Sequence, residues 1–458
     1  MAGYTLLIPE LLVLLGAFWA MFAEKLPGGD RGSAWVGAAA SLAAAVVAFV
    51  TPLAMRGGVF SRMLAFDGPA RLARVAMCVL AAIWLLWTAG RGQGRLRESV
   101  ALALFALVGG MFVSEARELV TLMLAIELST MPAYVLIGYR RGDTAGLEGA
   151  LKYFLLSMLT TLVMLYGFSF LYGLTGTTRL SGMDLSGAGT LGVIAVLFSI
   201  VGLLAKLSAA PFHYWAPDSY AGATPWAVAF VSTVPKVAGA VAIVRLVTAI
   251  APGVALTGTV LLTASALSMI LGNLGALTQT DVRRMMAYSG VAHSGYLLLG
   301  VAAFSAPGSA AALYYALAYA IPSMGIMLVT AEEGTQVSDF GGLVQRRPAT
   351  AWATVIMLFS LIGIPPLVGF FGKFSLFYAA VQRDYTWAVV LAVVMSVVSA
   401  AYYLRIVRAM FFAEQPVWHV GVARNSAAAT TIVMCVIAVV VLGVAAGPVL
   451  ASVGVVLR

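Results

Sequence analysis

The side chains best suited to chemistry in this chain are its lysines. Of 27 basic residues only Lys25, Lys152, Lys206, Lys236 and Lys373 are lysine; the last four fall inside long apolar stretches, whereas arginine fills the connecting segments. Arginine effectively never gives up its proton, but a buried lysine can have its pKa pulled down by several units. A charge at a bilayer centre costs roughly 2.5–3.5 kcal/mol or more, so an ionisable residue there is a functional candidate by default. Lysine kept for the interior fits a chain that loads and unloads protons there.

The densest constellation is VGLLAKLSAAPFHYWAPDSY, residues 201–220, where Lys206 precedes Pro211, His213, Pro217 and Asp218. Proline frees backbone groups, which are tolerated at membrane depth only against protein or a water-filled cavity. The stretch reads as a polar hole cut into a membrane helix. Glu127, midway along TLMLAIELSTMPAYVL, is the most central acid. A Glu127–Lys206 pair answering to Lys236 on the following helix would make a proton relay; the alternative is a static ion pair. Buried pairs stabilise weakly against apolar replacements, which favours the relay. His293, in AYSGVAHSGY, is either a relay group poised near neutral pH or a core histidine bonded to Ser289 or Tyr296. Lys152 either joins the relay or snorkels to the headgroups. Lys373 follows GIPPLVGFFG and has no simple structural role. His213 reads as packing and His419 as a loop residue. Asp67 reads as structural, and Glu115 and Glu118 as acids at a helix entry. Tyr314, Tyr315, Tyr319 and Trp215 are candidate channel-lining aromatics.

The elements that must hold these residues are membrane helices. Hydrophobic residues make up 62% of the 458 positions and charged ones 10%, against about 25% charged in soluble domains. A span needs about 20 apolar residues, which gives about fourteen transmembrane helices in an all-α polytopic fold. Two of them, 190–222 and 350–381, are too long to be straight, and Pro211, Pro217 and Pro365–Pro366 mark their breaks. VGLLAKLS (201–208) and VGFFGKFS (368–375) match in residue type 167 positions apart, with Lys206 over Lys373. About five helices separate them, so the copies run antiparallel, as in inverted repeats with sites at broken helices. The domains expected are 1–97 (three helices), 98–250 (first repeat), 251–413 (second repeat) and 414–458 (a last helix).

Cys78 and Cys435 form no disulfide or cluster pattern, and three scattered histidines make no haem or metal site. The first 25 residues lack a basic region and a cleavage site, and read as a first span. The net charge of +9 points to anionic lipid rather than nucleic acid. About fourteen basic residues against about nine place both termini outside. Nearly half of the nine sit in segment 56–74, which reads as lying along the interface.

RELVTLMLAIELSTMPAYVLIGYRR, LEGALKYFLLSMLTTLVMLYGFSFLYGLTGTT, GLLAKLSAAPFHYWAPDSYAGATP, STVPKVAG, GNLGALTQTDVRRMMAYSGVAHSGY and SLIGIPPLVGFFGKF resemble the antiporter-like N subunits of bacterial NADH–quinone oxidoreductase, respiratory complex I. The likeness spans about residues 100–410. It implies fourteen helices in two inverted five-helix repeats, a Glu127–Lys206 pair, Lys236 linking the half-channels and Lys373 on the outlet side; Lys152 and His293 also fall on functional positions. It further implies no cofactor bound here, with NADH, FMN, iron–sulfur clusters and quinone elsewhere in the complex. The partners implied are other membrane-arm subunits, lipid and protons, in a bacterial plasma (inner) membrane. YAGATPW stands where the family has YEGAPTP, so an acid is missing at Ala221. The alternatives are a subunit of a cation/proton antiporter or membrane-bound hydrogenase complex, and a non-conducting scaffold.

Overall fold

The computed structural model of the chain describes residues 4–22, 29–59, 63–91, 96–250, 254, 256–415 and 426–454. Lys25 and His419 lie outside them. The chain opens with α1 (Ile8–Phe22), α2 (Gly29–Val50), a hairpin of β1 (Ala54–Val59) and β2 (Leu64–Phe66), and α3 (Gly68–Arg91). Then come α4 (Leu96–Glu115), α5 (Leu119–Ile137), α6 (Thr144–Thr175), α7 (Gly189–Lys206), α8 (Trp215–Gly222), α9 (Pro225–Val231) and α10 (Val234–Ile250). The second half holds α11 (Leu256–Leu277), α12 (Val282–Val301), α13 (Ala306–Glu333), α14 (Leu343–Arg346), α15 (Pro348–Ile362), α16 (Val368–Val381) and α17 (Thr386–Phe412). Helices α18 (Ser426–Val444) and α19 (Ala446–Gly454) follow.

Twelve of these segments are long and apolar enough to cross a membrane, among them α7 and the α9–α10 pair. Adding α12 and the broken pair α15–α16 gives the fourteen passes expected. Their outward residues are large and apolar, such as Phe49, Leu124, Val397 and Val444, because lipid, not water, is the solvent. Centrally, an 18-residue stretch of the α9–α10 span and another of α13 are entirely buried. Segment 56–74, expected along the interface, folds in part into the hairpin, which pairs antiparallel from Ala54–Phe66 to Val59–Leu64.

The five-pass order α4–α10 recurs as α11–α17, and five passes separate the starts, so the copies point in opposite directions. Capping acids mark the repeat where the octapeptides do not. Glu118 caps α5 and bridges to Arg179 beyond α6; Asp281 caps α12 and bridges to Gln336 beyond α13. The octapeptide register is not the repeat's register: VGLLAKLS ends the half-helix before its break, and VGFFGKFS begins the half-helix after its break.

Proline chemistry accounts for the breaks. A proline leaves the carbonyl four residues earlier without its helical partner. For Pro211 that carbonyl is Leu207 O, which accepts from Ser294 Oγ at 2.5 Å. Nearby, Trp215 Nε1 donates to Ala205 O and Ala210 N to Ser268 Oγ, stitching the break to α8 and α11. A third interruption, which the sequence reading did not mark, falls at Ser232–Thr233, just ahead of Pro235 and Lys236.

Candidate functional site

Glu127, Thr130 and Tyr134 sit at i, i+3 and i+7 on α5, and Ser157 and Thr161 at i and i+4 on α6, so each set shares one helix face. The two faces meet at the last residue of α7, Lys206. Its Nζ lies within hydrogen-bond reach of Glu127 Oε1 at 3.0 Å, Thr130 Oγ1 at 3.2 Å, Tyr134 Oη at 3.2 Å and Ser157 Oγ at 2.7 Å, four acceptors for three N–H groups. Thr161 Oγ1 donates to the same Glu127 oxygen at 2.9 Å, while Glu127 Oε2 is buried with no hydrogen-bond partner among the described residues. The expected Glu127–Lys206 pair is therefore formed, inside a shell of hydroxyls. Each of those hydroxyls can pass a proton as well as hold one.

Lys236, on α10, is bound differently. Its Nζ has no hydrogen-bond partner among the described residues and lies 5.1 Å from the centre of the Tyr319 ring. Gly290 of α12 makes room for it: a Cβ there would stand 2.5 Å from Lys236 Nζ and 2.7 Å from Tyr319 Oη. A cavity of about 20 Å³ touches Lys236, Leu207, His293, Ser294, Tyr315 and Tyr319. A second, of about 10 Å³, touches Thr130, Lys206, Pro235 and Gly239. A water needs roughly 10–15 Å³ of such space, so α10 is flanked by two water-sized spaces.

His293 faces the first cavity. Its Nδ1 bonds Tyr315 Oη at 2.7 Å and its Nε2 bonds Tyr403 Oη at 3.3 Å. The partners are these two tyrosines, not Ser289 or Tyr296, although Ser289 Oγ bonds Tyr403 Oη in turn at 2.5 Å. The Tyr319 and Tyr296 rings pack on the imidazole at 4.8 and 5.8 Å.

Lys373 has the structural role that sequence reasoning did not find for it. Pro365 and Pro366 free the carbonyls of Leu361 and Ile362, and Lys373 Nζ donates to both, at 3.0 and 2.8 Å, and to Ser396 Oγ at 2.6 Å. The ammonium thus caps the negative end of α15 and lies 5.0 Å from the Tyr296 ring centre. In both repeats an ammonium sits at the end of the first half-helix. In the first it comes from that half-helix, and in the second it reaches back from the other.

Lys152 stands apart from the buried line. It is 41% exposed and pairs with Glu148 at 2.7 Å and Asp218 at 2.8 Å, and Asp218 also takes Arg284 at 3.1 Å. This cluster joins α6, α8 and α12 at their rim. His213 is buried against Tyr214 in the break, matching the packing role. Of the aromatics, Tyr315 and Tyr319 line the cavity. Tyr314 instead donates to Leu442 O, and Trp215 stacks on Tyr153.

A second buried charge group escaped the sequence reading. Glu115 does not act at a helix entry: its Oε1 lies 2.9 Å from Arg74 Nε, while Glu10 takes another Arg74 nitrogen at 2.8 Å. Asp67 caps α3 at Ala70 N and holds Arg245 in a two-pronged pair at 3.0 and 2.7 Å. The only sequence cue was Glu10 itself, an acid in an apolar run.

Residues 116–399 match the family described as NADH:quinone oxidoreductase/Mrp antiporter, transmembrane. The chain is 39% identical to NAD(P)H-quinone oxidoreductase subunit 2 of Trichormus variabilis, over 89% of this chain and 82% of that one. It is 37% identical to NADH-quinone oxidoreductase subunit N of Erythrobacter litoralis, covering 90% of this chain and 88% of the relative. A chain in the structure of respiratory complex I from Thermus thermophilus superposes with a TM-score of 0.83 at 30% identity, covering 97% of this chain and 98% of that one.

Proposed function

Because the chain belongs to the NADH:quinone oxidoreductase/Mrp antiporter transmembrane family, we propose that it is a proton-translocating, antiporter-like subunit of a membrane-bound NADH–quinone oxidoreductase. The observation that carries the reading is the buried line itself: the Glu127–Lys206 pair, Lys236 with no hydrogen-bond partner among the described residues and a water-sized cavity beside it, a second such cavity between Lys206 and the neighbouring Pro235, His293, and Lys373 at the second break.

Each member can change protonation state without breaking the backbone. Lys206 passes a proton through its hydroxyl shell and the space beside Thr130 and Pro235. Lys236 takes it up and delivers it across the second cavity to His293, and Lys373 completes the line. Glu127 sets the pace, because its attraction for Lys206 changes whenever that pair opens or closes. Proton entry is assigned to the arginine-rich face, where the Lys152–Asp218–Arg284 cluster lies, and release to the side beyond Lys373. Flavin, iron–sulfur clusters and the quinone site belong to other subunits. The membrane is the bacterial inner membrane, with both termini outside.

The test is to isolate the tagged chain from its own membranes in mild detergent. Co-purification of rotenone-type-inhibitor-sensitive NADH:quinone activity is expected. Recovery with cation/proton antiport activity and no quinone reduction would overturn the assignment.

A further inference from the structure

The relay described so far uses one side of the His293 ring. The other side opens into a polar cluster that the lysine line does not need. His293 Nε2 bonds Tyr403 Oη at 3.3 Å, and Tyr403 Oη bonds Ser289 Oγ at 2.5 Å, with either atom able to donate. Tyr402 packs its ring on Tyr403 at 4.4 Å and donates its hydroxyl to Asn273 Oδ1 at 3.2 Å. These residues come from α11, α12 and α17, and all four are buried. A buried hydroxyl is costly unless bonded, and one bond each would satisfy them; this cluster is instead continuous with a titratable imidazole.

Its direction is set by the helices. Asn273 lies four residues, about 6 Å at 1.5 Å per residue, from the end of α11. There Arg405 donates to Leu277 O at 3.0 Å and also to Gln279 O. Arg283 and Arg284 begin α12 on the same face. The cluster thus runs from His293 toward the arginine-rich face, opposite to the exit assigned to Lys373.

We propose that Tyr403 and Ser289 form a second proton-entry branch that feeds His293 from the arginine-rich face, independently of Lys206. Resting on the translocase reading, the branch gives each repeat its own opening to that face. A proton arriving at Ser289 is passed as Tyr403 accepts it on oxygen and releases its own hydrogen to His293 Nε2, so each hydroxyl is regenerated and only the imidazole changes charge.

The test uses the assembled complex in native membranes, with Tyr403→Phe, Ser289→Ala and Lys236→Ala compared for coupled quinone reduction, proton pumping and solvent deuterium isotope effect. Tyr403→Phe keeps the ring and removes one oxygen. The branch predicts coupled turnover at least severalfold lower in both hydroxyl variants, with a raised isotope effect that a packing defect would not give. Should Tyr403→Phe fail to assemble, Ser289→Ala decides alone. Unchanged rates and isotope effects in the hydroxyl variants, with Lys236→Ala impaired, would overturn the branch and leave the translocase reading standing. Unchanged behaviour in all three would overturn both.

Discussion

A double substitution at Glu127 and Lys206 separates a proton relay from a static ion pair. The two charges stand 3.0 Å apart with side-chain exposures of 10% and 3%. At an effective dielectric near 20, unit charges at that distance attract by about 5 kcal/mol. Removing one partner of a buried pair typically costs about 3–5 kcal/mol, because the other charge is left uncompensated. Lys206→Met leaves Glu127 with Thr161 as its one hydrogen-bond donor among the described residues, so its loss belongs at the upper end of that range. Glu127→Gln leaves the ammonium with Thr130, Tyr134 and Ser157, so its loss belongs at the lower end. Glu127→Gln/Lys206→Met buries no charge and should regain most of the stability, read as the thermal midpoint of the purified complex. Pumping by that double variant should stay as low as in the single ones. Recovery of pumping together with stability would mean that the pair is glue, and the relay argument at this site would be wrong.

Lys236 and Lys373 should part company in the same assay. Lys236→Met removes no hydrogen bond among the described residues and should leave the thermal midpoint unchanged or raised while abolishing pumping. Lys373→Met strands the Leu361 carbonyl, costing about 1–3 kcal/mol, and leaves Ile362 O with Ser396 Oγ alone, and should lower both stability and pumping. Gly290→Ala pushes only the tips of Lys236 and Tyr319; assembly on a native gel should persist while coupled turnover falls severalfold. Arg74→Met leaves the almost fully buried Glu10 and Glu115 without their cation, and should cost about 3–5 kcal/mol, seen as lost assembly or a sharply lower midpoint.

What could be read from the sequence was set by local chemistry. Apolar length fixes the number of passes, and Pro211, Pro365 and Pro366 mark the breaks because a missing N–H acts within one turn. Lysine rarity pointed to Lys206, Lys236 and Lys373 for the same reason: few residue types justify the cost of burial. The interruption at Ser232–Thr233 was also local, signalled by Pro235 in STVPKVAG, and was missed.

The remainder depends on contacts between distant segments. Glu10 meets Arg74 across 64 positions and Lys206 meets Glu127 across 79, so residue type can nominate such groups but cannot pair them with certainty. Lys373 as a cap for α15 required knowing that the chain folds back over its own break. Matching octapeptides pointed to the correct helices but to the wrong register, since the lysines lie on opposite sides of their prolines. The Tyr403–Ser289–Asn273 cluster carries no compositional signal at all, because serine, tyrosine and asparagine are ordinary in helix interiors until several helices aim them at one point.

The most direct measurement is protons moved per electron in sealed membrane vesicles whose complex carries Lys236→Ala, with assembly verified by native gel. A conducting role predicts that the assembled variant loses most of its coupled turnover and pumping. An assembled Lys236→Ala complex that pumps at the unmodified ratio and rate would contradict it, and would leave this chain as a scaffold.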